Sequence, residues 1–240
     1  MSTAAAQIGF DRFVPLELAE AALRVSAGLA SLGELTALLD AAHPGPAAKK
    51  KTRTVLNRLW LEPRPDLLDF TARGARIYRA APSTTAVPLT WGMALATYSF
   101  FGRVAEIVGR LTALHGDCRS AEVHRRMAET YGEREGTRRM TNMVLQSQAS
   151  WGTIEKLDNG KRITRAPAID LHGSPVAAWL SEACLRYAGR ALPVDGISSS
   201  PVMFPFALGD SAAYLLSTSP ALEVRGDGAG NRVVALANPY

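Results

Sequence analysis

Cysteine is scarce in this sequence of 240 residues, which contains only Cys118 and Cys184. Two cysteines are too few for a disulfide framework or for a metal site of their own. Long apolar runs are also missing, because the uncharged stretch 87–102 is too short to cross a membrane. Residues 1–10 have no basic segment followed by an apolar one, so we expect no secretion signal. These absences favour a soluble protein of the reducing cytoplasm with no membrane partner.

Motifs of catalysis are absent as well. The sequence has no G-x-x-x-x-G-K-[ST] phosphate loop, no G-x-S-x-G nucleophile elbow and no H-x-x-x-H pair. His115 lies near Cys118, but no second pair completes a tetrahedral metal site. The glycine-rich run 226–230 is interpreted as a hairpin turn. The only candidate for a nuclease-type combination of acids and a lysine, Glu155-Lys156-Leu157-Asp158, falls in another predicted hairpin. We therefore predict a protein that is not an enzyme, with no catalytic residues, no metal and no cofactor.

Charge is distributed unevenly along the chain. The net charge is +5, and 47% of the residues are hydrophobic, which is enough for a folded core. Residues 1–100 have 11 Lys and Arg against 8 Asp and Glu, residues 101–167 have 12 against 8, and residues 168–240 have 4 against 6. A surface for a polyanion is therefore expected in the first two thirds.

The first predicted domain, residues 1–86, is helical and similar to a helix-turn-helix. Ser31 and Glu34 have the spacing of a capping box at the start of a second helix. A third helix, starting near Ala47, begins with a cluster of cations. We interpret the polar stretch 82–85 as a linker and place the domain boundary near residues 82–88.

The second predicted domain, residues 87–167, begins with three helices. The stretch 90–114 is apolar and helical, with a break or bend expected around Gly102 and Gly109. Two further helices are expected: Ser120 caps the first, which ends at Gly132, and Thr137 caps the second, which ends at Gly152. We expect Trp151, at the end of the last helix, to be buried against Val123 and Met127.

A hairpin with a basic tip follows these helices. The pair Asn159-Gly160 lies between the β-branched segments 153–157 and 161–165, which is a strong hairpin signal. Three helices followed by a basic hairpin are the order of a winged helix-turn-helix, a fold that often binds double-stranded DNA.

The candidate DNA-binding residues are cations and carboxamides in four places. Guanidinium and carboxamide groups match base edges, and cations match phosphates. Cations at a helix N-terminus oppose the helix dipole, which suggests an anionic partner. The candidates on the predicted recognition helix are Arg138, Arg139, Asn142 and Gln146. The helix before it adds Arg125 and Arg126, the hairpin adds Lys161, Arg162 and Arg165, and the N-terminal cluster adds Lys49, Lys50, Lys51 and Arg53.

The third predicted segment, residues 168–240, is a small α+β piece. It is acidic and apolar, with a helix after Ser174 and a closing hairpin built from residues 222–225 and 232–236. We interpret it as a packing or partner module. The predicted fold class is therefore mainly α with short β-hairpins, as tandem helical and winged helix-turn-helix domains followed by this piece.

The run Lys51-Thr52-Arg53-Thr54-Val55-Leu56-Asn57-Arg58-Leu59, followed by Pro65-Asp66-Leu67-Leu68, resembles a known family. It is similar to the N-terminal helical segment of the small DNA-binding subunit of BREX phage-defence systems, and the resemblance extends over about the first two thirds of the chain. The resemblance implies sequence-tolerant binding of double-stranded DNA, no catalysis, and action beside larger methyltransferase and ATPase partners in a bacterial or archaeal cytoplasm.

Two other functions remain open at this stage. The chain could be a winged-helix transcription regulator, which differs in sequence specificity, or an adaptor whose winged domain docks proteins without DNA. Steep salt dependence of duplex binding separates a DNA-binding protein from an adaptor. The sequence specificity, the choice of DNA over RNA and the oligomeric state are not determined by the sequence.

Overall fold

The structure, a computed structural model, describes residues 9–209, 212–226 and 232–237. It is mainly helical with a few short strands, which confirms this part of the predicted fold class. No helix in the described ranges is long and apolar enough to cross a membrane.

Five helices and a π-helical turn form the N-terminal part. They are α1 (Leu16–Ser26), α2 (Leu32–Ala42), α3 (Pro46–Leu56) with its π-helical continuation (Asn57–Leu61), α4 (Leu68–Ala80), which follows a 3-10 turn (Pro65–Leu67), and α5 (Pro82–Thr97). The capping box predicted at α2 is confirmed, since the Ser31 side chain accepts from the Glu34 amide and Glu34 accepts from the Ser31 amide.

The linker predicted at residues 82–85 is wrong, because these residues are the first turn of α5. Pro82 occupies the first helical position, where its missing N–H costs no hydrogen bond. Thr85 is buried and donates to the carbonyl of Ala81 at 2.6 Å, which satisfies its hydroxyl inside the fold. The polar composition of the stretch reflects a helix start and not an exposed connection.

The central part consists of three helices and a three-stranded sheet. The elements are α6 (Ser99–His115), β1 (Asp117–Arg119), α7 (Ser120–Tyr131), α8 (Glu135–Ser150), β2 (Ile154–Leu157) and β3 (Arg162–Arg165). The sheet has the order β1-β3-β2, and β3 is antiparallel to both neighbours. Asp158, Asn159 and Gly160 all have positive φ in the turn between β2 and β3, so the predicted hairpin is confirmed.

The break expected around Gly102 and Gly109 lies elsewhere. The chain leaves the helical conformation at Tyr98, between α5 and α6. Both glycines lie inside α6, where neighbouring groups approach the backbone closely. A Cβ on Gly102 would lie 2.2 Å from the Tyr187 ring, and one on Gly109 would lie 2.0 Å from the Pro201 carbonyl oxygen. The glycines therefore allow close packing inside a helix that is continuous from Ser99 to His115.

The predicted N-terminal caps of α7 and α8 are corrected by one and three residues, to Arg119 and Arg134. Helix α8 starts at Glu135 after Arg134, and Thr137 is buried without capping it. Ser120 is the first residue of α7, and its hydroxyl donates to the Gly160 carbonyl of the hairpin. Gly132, with φ of 86°, ends α7 as predicted. The connection between α7 and α8 is therefore three residues long.

The C-terminal part contains short helices and two small sheets. Its elements are β4 (Ile169–Asp170), α9 (Pro175–Ala188), β5 (Leu192–Pro193), α10 (Val194–Ser198), a 3-10 turn (Pro201–Met203), β6 (Phe206–Ala207), α11 (Ala212–Thr218), β7 (Leu222–Gly226) and β8 (Arg232–Leu236). Strands β4 and β6 are parallel, whereas β5, β8 and β7 form an antiparallel sheet that includes the predicted closing hairpin. Beyond Gly226, the predicted glycine-rich turn lies outside the described residues.

One continuous core joins the three predicted segments. Trp179 of α9 stacks on Phe70 of α4 with ring centroids 4.1 Å apart, and its indole N–H donates to the Phe70 carbonyl at 2.9 Å. Gly74 of α4 and Gly92 of α5 leave the space that this indole occupies. The C-terminal part is therefore packed on the N-terminal helices.

Candidate nucleic-acid interface

Helix α8 presents its predicted contact residues away from the core. Thr141, Val144 and Leu145 are buried, whereas Arg138 and Arg139 are exposed. The two carboxamides, Asn142 and Gln146, are half-buried and follow Arg138 at intervals of four residues. Residues four apart lie on one face of a helix, so one strip of α8 carries a guanidinium followed by two carboxamides.

Met140 and Met143, which the periodicity of α8 assigns to the buried side, are half-buried. Trp151 is 2% exposed, as predicted. Its aromatic neighbours are Phe10, Trp91 and Phe101, with ring centroids 5.4–6.4 Å away. The end of α8 therefore packs on the N-terminal segment and on α5 and α6.

The side chains of Arg138 and Arg139 have no ion pair or hydrogen bond with any residue in the described ranges. They lie in the second turn of α8, because the helix starts at Glu135. Our dipole argument is therefore weakened, since the dipole acts mainly within the first turn. The argument weakens equally for Lys49 on α3, which starts at Pro46. The observation that remains for Arg138 and Arg139 is that neither side chain has an anionic partner among the described residues.

The two candidate cations of α7 form ion pairs with neighbouring carboxylates. Arg125 lies 2.7 Å from an oxygen of Glu122 and also pairs with Glu129, and Arg126 lies 2.8 Å from Glu122. Hydrogen bonds from the two arginines lower the pKa of Glu122 to about 2, so this carboxylate is ionised at neutral pH. These two arginines are therefore weaker candidates for phosphate contacts than their exposure suggests.

The three cations of the hairpin differ in their surroundings. Lys161 is exposed, and Arg162 lies 3.3 Å from Asp158 and 3.5 Å from Asp117. Arg165 is turned inward: it donates to the Thr112 hydroxyl at 2.7 Å, and its guanidinium lies 5.3 Å from the Phe204 ring centre. The structure therefore gives Arg165 a packing role that its grouping with Lys161 and Arg162 does not predict.

The four cations of the N-terminal cluster also differ in their surroundings: two have internal partners, and two have no ion pair among the described residues. Lys49 pairs with Asp40 of α2, and Arg53 donates to Thr36 at 3.3 Å. Lys50 and Lys51 are exposed on α3 and have no ion pair within the part of the chain that the structure describes. Two cations of this cluster are therefore free for an external anion.

The end of α8 and the start of α1 are joined by three hydrogen bonds. The amides of Val14 and Leu16 donate to the hydroxyls of Ser147 and Ser150 at 2.9 and 3.3 Å. The Trp151 indole donates to the Val14 carbonyl at 2.9 Å. The N-terminal cations lie on α3, which packs against α1. The helices that carry the two cation groups are therefore connected through α1 and the segment before it.

Three basic residues of this region were missed by sequence reasoning. Arg119 lies opposite Arg162 in the sheet register, an arrangement of like charges that an anion would relieve. His124 is half-buried on α7, and its Nδ1 has no hydrogen-bond partner in the described ranges. Burial, followed by the charges of Arg138 and Lys156, lowers the pKa of His124, which places these three groups close together. No motif marks Arg119, His124 or Lys156 as a group. His124 and Lys156 approach Arg138 only when α7, α8 and β2 pack together.

A cleft of about 670 Å³ lies between α7 and the start of α8. His124, Arg125 and Arg138 line it together with carboxylates such as Glu129. The mixed charges give the cleft no strong preference for an anion. The basic character of this region therefore resides on the exposed strip of α8 and at the hairpin tip.

Metal-ligating and nucleophilic groups are sparse in the described ranges. No group of three or more His, Cys, Asp or Glu residues there could hold a metal ion. Cys118 and Cys184 are free and buried, and burial raises the pKa of Cys118 to about 11, which disfavours a reactive thiolate. Comparisons with protein-family models, with curated proteins and with solved structures found no match to this chain.

Proposed function

We propose that this chain is a non-catalytic protein that binds double-stranded DNA through a winged helix-turn-helix. The observation that carries the proposal is the exposed side of α8, where Arg138 and Arg139 have no ion pair among the described residues and are followed by Asn142 and Gln146. Guanidinium and carboxamide groups match base edges in the major groove, and the second helix of a helix-turn-helix enters that groove.

The topology around α8 supports this proposal. Helix α6, strand β1, helices α7 and α8 and the β2–β3 hairpin follow one another, and β3 lies between β1 and β2. That arrangement is expected of a winged helix-turn-helix. In this interpretation α8 is the recognition helix, and Lys161 at the hairpin tip contacts a phosphate or the minor groove.

The N-terminal cations supply a second phosphate contact in this proposal. Lys50 and Lys51 have no ion pair among the described residues, and their helix α3 packs against α1. Hydrogen bonds connect the start of α1 to the end of α8. A fixed relation between the two groups would allow both to bind one duplex.

The biological setting belongs to the proposal as well. The resemblance of residues 51–68 to the small DNA-binding subunit of BREX systems favours an accessory factor of phage defence in a bacterial or archaeal cytoplasm. Larger methyltransferase and ATPase proteins would be its partners. A transcription regulator is the alternative within the DNA-binding class, and it would prefer one duplex sequence strongly over unrelated ones.

The test is the affinity for unrelated duplexes as a function of salt, measured by fluorescence anisotropy. We expect log K to fall linearly with log salt between about 50 and about 200 mM. Arg138→Ala with Arg139→Ala should weaken duplex binding by about 1–3 kcal/mol for each lost base contact. Arg76→Ala with Arg232→Ala removes the same charge from two exposed arginines elsewhere and is the matched control.

Unchanged affinity in a folded Arg138, Arg139 double variant would remove α8 from the interface. Far-ultraviolet circular dichroism confirms folding, since exposed arginine substitutions usually change stability by under about 0.5 kcal/mol. Equal weakening in the control would mean that only net charge matters. In that case the base-edge role of α8 is wrong.

A second pair of variants separates the hairpin from the N-terminal cluster. Neutralising Lys161 and Arg162 should weaken binding equally for unrelated duplexes, and neutralising Lys50 and Lys51 should do the same if both groups bind one duplex. An effect of the hairpin variant alone would make the N-terminal part an oligomerisation or partner module. A change in the preferred sequence would mean that these residues read bases.

A protein-docking adaptor is the second candidate function. This function is favoured because internal partners already bind five of the candidate cations, which leaves less positive charge for DNA. These cations are Lys49, Arg125, Arg126, Arg162 and Arg165. An adaptor would show almost no duplex affinity at about 50 mM salt. The anisotropy experiment therefore distinguishes the two functions in its first titration.

A further inference from the structure

A second cleft, of about 690 Å³, lies where α6 and the end of α7 meet the region around α9 and α10. This volume is within the usual range for small-molecule sites, roughly 300–1,000 Å³. The described residues that line it include none from α8 or from the β2–β3 hairpin. The cleft is therefore separate from the strip of α8 that we propose for DNA.

Positive charge exceeds negative charge on the described lining of this cleft. Arg103 and Arg110 come from α6, and Arg190 comes from the connection after α9, whereas Glu106 is the sole carboxylate among these lining residues. Three arginines and one glutamate leave a net charge of +2. Such a surplus at one concave site attracts a small anion.

Glu106 holds the arginines in place and leaves donors free. Its carboxylate accepts from Arg103 at 2.9 Å and from the Tyr187 hydroxyl at 3.0 Å, and it also pairs with Arg110. The Arg103 Nε is shielded from solvent and has no acceptor among the described residues. A shielded guanidinium donor without an acceptor is costly, and a bound oxyanion would satisfy it.

The rest of the cleft offers apolar and aromatic surface. Tyr131 and Tyr187 line one part of it, and Leu192 and Pro193 line another. The Tyr187 ring packs directly on Gly102 of α6, where a Cβ would lie 2.2 Å from it. Burial and the neighbouring Glu106 raise the pKa of Tyr187, so its hydroxyl stays protonated and donates to the carboxylate.

We infer that this cleft binds a small organic phosphate, with the phosphate on Arg103 and Arg190 and an apolar or aromatic body against Tyr131 and Leu192. Arginine is well suited to phosphate because its planar donors match the phosphate oxygens. The ligand would contact α6, α7 and the α9–α10 region together, so its binding should stabilise the contact between the central and C-terminal parts of the chain.

The test is calorimetric titration of the full chain with phenyl phosphate, inorganic phosphate and neutral benzyl alcohol at matched ionic strength. We expect phenyl phosphate to bind best, inorganic phosphate more weakly and benzyl alcohol not at all. The first two should also raise the melting temperature. No binding of either phosphate at millimolar concentration would overturn the inference.

Variants place the binding in this cleft. Arg190→Gln removes an exposed arginine, whose nearest acceptor is the Ala191 carbonyl at 3.5 Å, so the variant should fold. It should weaken phenyl phosphate binding by about tenfold, the effect of one charge-assisted hydrogen bond. Tyr131→Leu should weaken phenyl phosphate more than inorganic phosphate.

Arg138→Ala with Arg139→Ala is the control for binding to the DNA surface, and it should leave phosphate binding unchanged. Binding that is lost in this control but kept in Arg190→Gln would assign the anion to α8, and the inference would be wrong. Because the titration contains no duplex, its result is independent of whether the chain binds DNA.

Discussion

Substituting Trp151 tests the packing that positions α8. The indole is 2% exposed, and the rings of Phe10, Trp91 and Phe101 surround it. Its N–H also donates to the Val14 carbonyl at 2.9 Å. Removing a buried tryptophan side chain typically costs about 3–5 kcal/mol, because a cavity remains and apolar contacts are lost.

A second variant separates the contribution of packing to the free energy of unfolding from that of the hydrogen bond. Trp151→Phe keeps an aromatic ring but leaves the Val14 carbonyl without its donor, so we expect a loss of about 1–3 kcal/mol. Trp151→Ala loses both packing and the hydrogen bond, and we expect a loss of about 4–6 kcal/mol. Leu114→Ala, at a side chain that is 75% exposed, should change stability by under about 0.5 kcal/mol and is the control.

The assay is equilibrium unfolding in urea, followed by far-ultraviolet circular dichroism. Limited proteolysis near residues 9–15 supplies a second measurement, since the hydrogen bond holds this segment against α8. A Trp151→Ala variant that loses less than about 2 kcal/mol, with the segment still protected, would refute the packing described here.

The remaining predictions concern three side chains. Arg165→Ala should lower the urea midpoint and leave the salt slope of duplex binding unchanged, because Arg165 bonds to Thr112 inside the fold; a reduced slope in the folded variant would contradict this. Glu182→Ala should cost about 3–5 kcal/mol in urea unfolding, since it leaves the bidentate partner Arg73 without its buried carboxylate; a cost below about 1 kcal/mol would show that water replaces the pair. Because the pKa of His124 is lowered in the folded state, the unfolded chain binds the proton first as the pH falls through about 6.5. The free energy of unfolding should therefore decrease below that pH. His124→Gln should reduce this decrease, which urea midpoints measured from about pH 7.5 to about pH 5.5 would show.

Local features of the fold were predictable from the sequence because their causes are local. The Asn159-Gly160 pair demands positive φ, which fits a tight hairpin, and the hairpin is present. Ser31 and Glu34 satisfy the free amides at the start of α2 through side chains three residues apart. The exposure of Arg138 and Arg139 on α8 likewise agrees with helical periodicity.

The alternation of side chains along strand β3 could have separated Arg165 from Arg162 at the level of the sequence. Arg162 and Arg165 are three residues apart, so the twofold repeat of a strand places them on opposite faces. Ile163 is fully buried, and Arg165 shares its face, which directs this arginine toward α6. Grouping the hairpin cations by nearness in sequence therefore misassigned one of them.

The sequence by itself determined where most helices and the hairpin form and which side chains of α8 can reach solvent, because backbone propensity, capping and periodicity act over a few residues. Tertiary structure decided that Arg165 is held inside the fold, since its partner Thr112 on α6 comes within reach only when the hairpin packs on that helix. It also decided the neighbours of Trp151 and the arginine-lined cleft, where residues 103–110 meet residues 187–201. These contacts join residues far apart in the chain, and no local pattern encodes how such segments meet.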